Sequence, residues 1–71
     1  MQETTAWDEM IEEGEVRRSH RLLLRLGKRQ FGAADSATEA AVTAIRDLDR
    51  LERMTEAVLT ASNWQELLST P

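Results

Sequence analysis

The stretch Glu13-Gly14-Glu15-Val16-Arg17-Arg18-Ser19-His20-Arg21-Leu22-Leu23-Leu24-Arg25-Leu26-Gly27-Lys28-Arg29-Gln30-Phe31-Gly32 decides the fold. Apolar and polar residues do not alternate in it, β-branched residues are scarce, and leucine and arginine, both good helix formers, dominate. Phe31-Gly32 reads as a helix stop. Glycine supplies the left-handed residue that commonly follows a helix, and Lys28 and Arg29 complement the negative end of the helix dipole. Upstream, Thr5 with Asp8 three residues later is a helix start. One long helix over residues 5–30 is predicted.

Charge is sorted along this helix. Residues 1–15 hold six acids (Glu3, Asp8, Glu9, Glu12, Glu13, Glu15) and no base, and residues 16–31 hold six bases (Arg17, Arg18, Arg21, Arg25, Lys28, Arg29) and no acid. At about 100° per residue, Trp7, Met10, Ile11 and Gly14 share one side of the helical wheel, and the six bases line up with them within an arc of about 120°. Leu22, Leu23 and Leu26 fall on a side rotated from it by about 120°. One flat surface cannot bury both apolar stripes. Either the helix breaks or bends near Gly14, or each half docks on something different. The second solution is favoured: Leu22, Leu23 and Leu26 pack on the later helices, and Trp7, Met10 and Ile11 are left for a partner.

Three shorter helices are predicted over residues 37–46, 48–61 and 63–69. Ser36-Ala37-Thr38-Glu39 and Ser62-Asn63-Trp64-Gln65 read as capping boxes, and Asp47 as a further cap. The second helix has an alanine-rich face (Ala37, Ala40, Ala41, Ala44, with Ile45) suited to close packing. The third is amphipathic, with Leu48, Leu51, Met54, Val58 and Leu59 opposite Asp49, Arg50, Glu52, Arg53 and Glu56. The fourth brings Trp64, Leu67 and Leu68 together as a lid on the bundle end. The expected fold is all-α: one long N-terminal helix, bent near Gly14 or continuous, then three shorter helices packed on its C-terminal half. It divides into an acidic helical arm (residues 1–15) and a small helical domain (residues 16–71).

A chain of 71 residues is one small domain, and at that size only about 60% of the unfolded surface is buried on folding. There is no cysteine and a single histidine, so neither a disulfide nor the usual zinc ligand sets can staple it. Oligomerisation is the remaining source of extra stability. The 41% apolar and 31% charged content, with a net charge of −4, fits a soluble chain. No apolar run reaches the roughly 18 residues of a membrane span, and the acidic N-terminus is unlike a signal peptide. A cytoplasmic setting, without membrane contact, is expected.

No constellation carries catalytic chemistry. The clustered acids lack the loop spacing of a cation site and read as a solvated face. His20 reads as a surface or boundary histidine, and Ser19 beside it lacks the third orienting group of a triad. Trp7 and Trp64 read as core or interface anchors. The bases Arg17, Arg18, Arg21, Arg25, Lys28 and Arg29 could track phosphates. However, no Asn or Gln is interleaved and no aromatic platform accompanies them, so a solvated face paired partly with acids is preferred. The opposed charge blocks suggest antiparallel pairing of two copies, with Trp7, Met10 and Ile11 supplying affinity and Arg18, Arg21 and Arg25 setting orientation. The competing reading is a monomer folded back as a hairpin at Gly14.

Glu13-Gly14-Glu15, followed by the run from His20 to Gly32, resembles the "EG…LLLRLL.RRFG" signature of domain-of-unknown-function family forty-three fifty-one. Ile45-Arg46-Asp47-Leu48, Leu51-Glu52-Arg53-Met54, Ala57-Val58-Leu59 and Trp64-Gln65-Glu66-Leu67-Leu68 are similar to that family's ending. Thr4 to Gly14 resembles the run preceding the domain in larger bacterial proteins, so the resemblance covers nearly the whole chain. It implies the helical C-terminal tail of bacterial proteins related to recombination-promoting, transposase-like PD-(D/E)XK nucleases. The catalytic part is not implied, because no acid pair followed by Glu/Gln-x-Lys occurs. Gly27 stands where the family commonly has leucine, at a helix-propensity cost of about 1 kcal/mol relative to alanine, and Gln30 replaces a frequent base. The expectation is therefore a non-enzymatic self-association module, a homodimer without cofactor, metal or small-molecule substrate. The alternative is an accessory tail that contacts nucleic acid through the basic stripe.

Overall fold

The computed structural model describes residues 5–71, with side chains described from Ile11 onward. The fold is all-α, in the order α1 (Thr5–Phe31), α2 (Ser36–Thr43), α3 (Leu48–Ala57) and α4 (Trp64–Leu68). Helix α1 is unbroken through Gly14, so the chain does not fold back there. It stops at Gly32, whose φ of 95° only glycine adopts without Cβ strain, and whose N–H donates to the Lys28 carbonyl at 2.9 Å.

Helix α2 returns along the C-terminal half of α1, bringing Ile45 beside His20. Helix α3 then runs parallel to α1, from Leu48 near Ser19 to Val58 near Gln30. Helix α4 runs back again, from Trp64 against Gly27 to Thr70 against Arg50. Helix α1 packs on α2 and α3, and α4 closes across the same two helices. Between them lie the buried side chains of Val16, Leu23, Val42, Ile45, Leu51, Met54, Val58 and Leu67. The molecule measures 47 × 21 × 16 Å, and its radius of gyration of 13.5 Å exceeds the roughly 11 Å of a compact chain this long. The excess comes from α1, whose 27 residues span about 40 Å. Among the described residues its first buried side chain is Val16, and Ile11 to Glu15 are all exposed.

Several local expectations shift by one turn or one residue. The cap of α2 is Asp35, not Ser36: its backbone is extended and its Oδ1 accepts from the Thr38 N–H at 2.8 Å. That backbone hydrogen bond, with the Thr38 side chain second, holds the exposed Asp35 carboxyl below its ordinary range. The cap of α4 is Asn63, not Ser62, accepting from the Glu66 N–H, while the Glu66 carboxylate accepts from the Ser62 N–H. Asp47 caps α3 as expected.

The alanine face of α2 is corrected: Ala37, Ala40, Ala41 and Ala44 are exposed, and Val42 and Ile45 face the core. Methyl groups bury too little apolar area to compete with Val and Ile for the inner side. Helix α3 supplies Leu51 and Met54 to the core as expected, yet ends at Ala57. The N–H groups of Leu59 and Thr60 bond three residues back, to Glu56 and Ala57. This tighter turn rotates Leu59 outward, leaving it 82% exposed. On the polar face of α3, Arg53 stays exposed as expected, while Arg50 is half-buried against the turn that follows α4. Arg50 donates to the Thr70 and Leu68 carbonyls at 2.9 and 3.0 Å, and Arg53 donates to that of Pro71 at 2.9 Å. The last carbonyls of a short helix have no intrahelical partner, and Arg50 supplies one to Leu68 at the end of α4.

Candidate interaction surface

The inner face of α1 consists of Val16, His20, Leu23 and Gly27, at spacings of four, three and four residues, all buried. His20 is a correction: it is only 7% exposed, and its Nε2 donates to the Ile45 carbonyl at 2.7 Å. Ile45 lies just beyond α2, where its carbonyl has left the helical ladder and needs a donor out of reach of water. His20 is thus committed inward, and Ser19 and His20 present no nucleophile–base pair at the surface.

Gly27 is the second residue that sequence reasoning misjudged. A Cβ there would overlap the six-membered ring of Trp64. The indole Nε1 donates to the Gly32 carbonyl at 3.0 Å, and the ring meets Phe31 edge-on, with centroids 5.5 Å apart at 69°. The glycine that departs from the leucine-rich pattern is the seat of a tryptophan from α4. Trp64 is therefore a core anchor, and Leu67 behind it is fully buried.

The outer face lies about 150° round the helix from this stripe. Ile11 and Leu22 are exposed there, at 46% and 42%. Leu22 corrects the expectation that Leu22, Leu23 and Leu26 dock together. Of the three consecutive leucines only Leu23 is fully buried, while Leu24 and Leu26 are half-buried against the edge of the core. Arg18, Arg21 and Arg25 surround Leu22 and line a shallow hollow of about 270 Å³. Arg17, Lys28 and Arg29 flank it, all exposed. Trp7 and Met10, expected on this face, lie outside the described side chains.

Among the described residues, the acids of the arm do little to neutralise these bases. Glu13 accepts from Arg46 at 2.9 Å and lies 3.9 Å from Arg17. Among the described residues no other ion pair involves the bases of α1, so Arg18, Arg21, Arg25, Lys28 and Arg29 face solvent. Exposed pairs such as Glu13–Arg46 contribute at most about 1 kcal/mol each. A second hollow of about 270 Å³, lined by Glu12, Glu13, Val16 and Arg46, holds that pair and no nucleophile. Among the described residues no group of three or more His, Asp or Glu side chains is placed to hold a metal, and no helix is long and apolar enough to cross a membrane.

The outer face was legible from the wheel, because the six bases and Ile11 align there by spacing alone. The inner stripe was legible too, since Val16, His20, Leu23 and Gly27 recur at helical intervals, but the leucine triplet drew the eye from it. Compared with known proteins, the chain matches no family model, no curated protein and no solved structure.

Proposed function

We propose that this chain is a non-catalytic self-association module that forms a homodimer through the outer face of α1. One observation carries the reading: two large apolar side chains, Ile11 and Leu22, stand exposed on the face opposite the core, beside arginines without ion partners among the described residues. Burying the exposed remainder of such a side chain contributes about 0.7 to 1.5 kcal/mol, against about 0.2 to 1 kcal/mol for an exposed ion pair. The apolar residues therefore supply affinity, and Arg18, Arg21 and Arg25 select orientation. Trp7 and Met10 belong to the same stripe by sequence spacing and extend the proposed interface. The hollow lined by Arg18, Arg21 and Arg25 also favours a second reading, in which Arg17 to Arg29 bind the phosphates of nucleic acid. The resemblance to the helical tail of transposase-like nucleases suits either reading, and it rests on the quoted residues alone.

Size exclusion with light scattering over a dilution series tests the proposal. Twice the chain mass of 8.1 kDa at high concentration, falling on dilution, is expected. A concentration-independent monomer overturns it. The variant Arg21→Glu/Arg25→Glu separates the two readings. Self-association predicts a shifted mass with no retention on DNA at any salt. Phosphate binding predicts loss of salt-sensitive DNA binding with the mass unchanged.

A further inference from the structure

The outer face of α1 has a symmetry of its own. Ile11 and Leu22, two of the three exposed large apolar side chains among the described residues, lie eleven positions apart on one side of the helix. Glu15 and Arg18 lie on the same side, both exposed. The two pairs share one midpoint, between Val16 and Arg17. Ile11 with Arg18 and Arg25, and Glu15 with Leu22 and Arg29, occupy the two seam positions of a heptad, in which Ile11 and Leu22 are the apolar members.

Resting on the self-association reading, we propose the register of the dimer: two α1 helices cross antiparallel, with the two-fold axis beside Val16 and Arg17. Ile11 of each copy then packs on Leu22 of the other, and Glu15 of each meets Arg18 of the other. A two-fold interface is self-complementary, so each contact occurs twice. Parallel pairing would set Glu15 on Glu15 and Arg18 on Arg18, like against like, which disfavours it. The fold accommodates the antiparallel crossing. The bundle covers the opposite face of α1 and begins at Val16, so the two bundles lie towards opposite ends of the pair. The overhanging acidic turns of one copy then run beside the partner's basic stretch, where Arg18, Arg21 and Arg25 have no ion partner among the described residues.

Cysteine crosslinking of the full chain tests the register, since the protein has no cysteine of its own. Chains carrying Ile11→Cys and Leu22→Cys, one substitution each, are mixed and oxidised with copper-phenanthroline. The mixture is expected to form the 11–22 disulfide, and each variant alone is expected to form none. Identical positions lie about 16 Å apart along the antiparallel pair, beyond the roughly 7 Å between Cα atoms that a disulfide tolerates. Glu15→Arg and Arg18→Glu should each weaken the dimer about tenfold, because two ion pairs are reversed at once, and together they should restore it. A dimer in which Ile11→Cys crosslinks to itself overturns the register but leaves self-association standing. A monomer at every concentration overturns both. A monomer retained on DNA below moderate salt also overturns both and assigns the face to phosphate binding. Failure of the double exchange to restore the dimer overturns the Glu15–Arg18 pairing.

Discussion

The two faces of α1 belong to one helix and each carries a leucine, yet their environments are opposite. Leu23 is fully buried while Leu22 beside it is 42% exposed. His20 turns its ring to the Ile45 carbonyl, while Arg21 beside it faces solvent. The inner face is a set of shape and hydrogen-bond requirements: a leucine, a ring donor, and a glycine that admits an indole. The outer face carries apolar area and positive charge left largely unpaired among the described residues. What separates the adjacent leucines is a rotation of about 100° per residue, and none of the six bases falls on the inner stripe.

The sharpest way to break this comparison is to truncate the adjacent leucines. Leu23→Ala should destabilise the fold by about 2 to 5 kcal/mol, through lost transfer free energy and the cavity left behind. Leu22→Ala should stay within about 0.5 kcal/mol when both are unfolded in urea at concentrations where the protein is monomeric. Leu22→Ala should instead lower the dimer fraction in light scattering. Equal losses from the two would show that the faces are not distinct.

A smaller effect probes the inner face alone. Gly27→Ala gains about 1 kcal/mol of helix propensity at an exposed site, yet here the new methyl enters the Trp64 ring. A net loss of about 1 to 3 kcal/mol is expected from overpacking, with weakened near-ultraviolet dichroism of the indole. A stabilised Gly27→Ala would show that Trp64 does not need this seat.

The smallest effect lies away from both faces and calibrates them. The Thr38 N–H holds the Asp35 carboxyl below its ordinary value of 3.8. A lowered folded pKa means that the unfolded chain binds the proton more readily. The contribution is therefore present above about pH 4 and is lost as pH falls through the lowered value. Asp35→Asn should keep the cap and flatten that acid limb in thermal melts, whereas Asp35→Ala should lower the melting temperature at neutral pH as well. An acid limb unchanged in Asp35→Asn would remove Asp35 as its source.

Much of the architecture was readable before any coordinates. Four helices, the Gly32 stop and the Asp47 cap follow from local chemistry, because helix start and stop signals act within one turn. The misplaced items share a cause. Ser36 lost the cap to Asp35 by one position, since both can accept and only the backbone conformation chooses. The alanine face of α2 lost to Val42 and Ile45 because the size of the neighbouring cavity selects among apolar residues. Arg50 became half-buried because α4 ends beside it.

The sequence by itself determined that the first segment is helical and stops at Gly32, with its acids ahead of its bases and with Ile11 aligned to the basic arc. Those are matters of spacing along a single element, and a helix of known pitch converts spacing directly into direction. Only the tertiary structure decided which of three consecutive leucines is buried, that His20 serves a carbonyl 25 residues away, and that Gly27 is a seat for Trp64. Each of these depends on what another segment places opposite, and no periodicity within α1 contains that information.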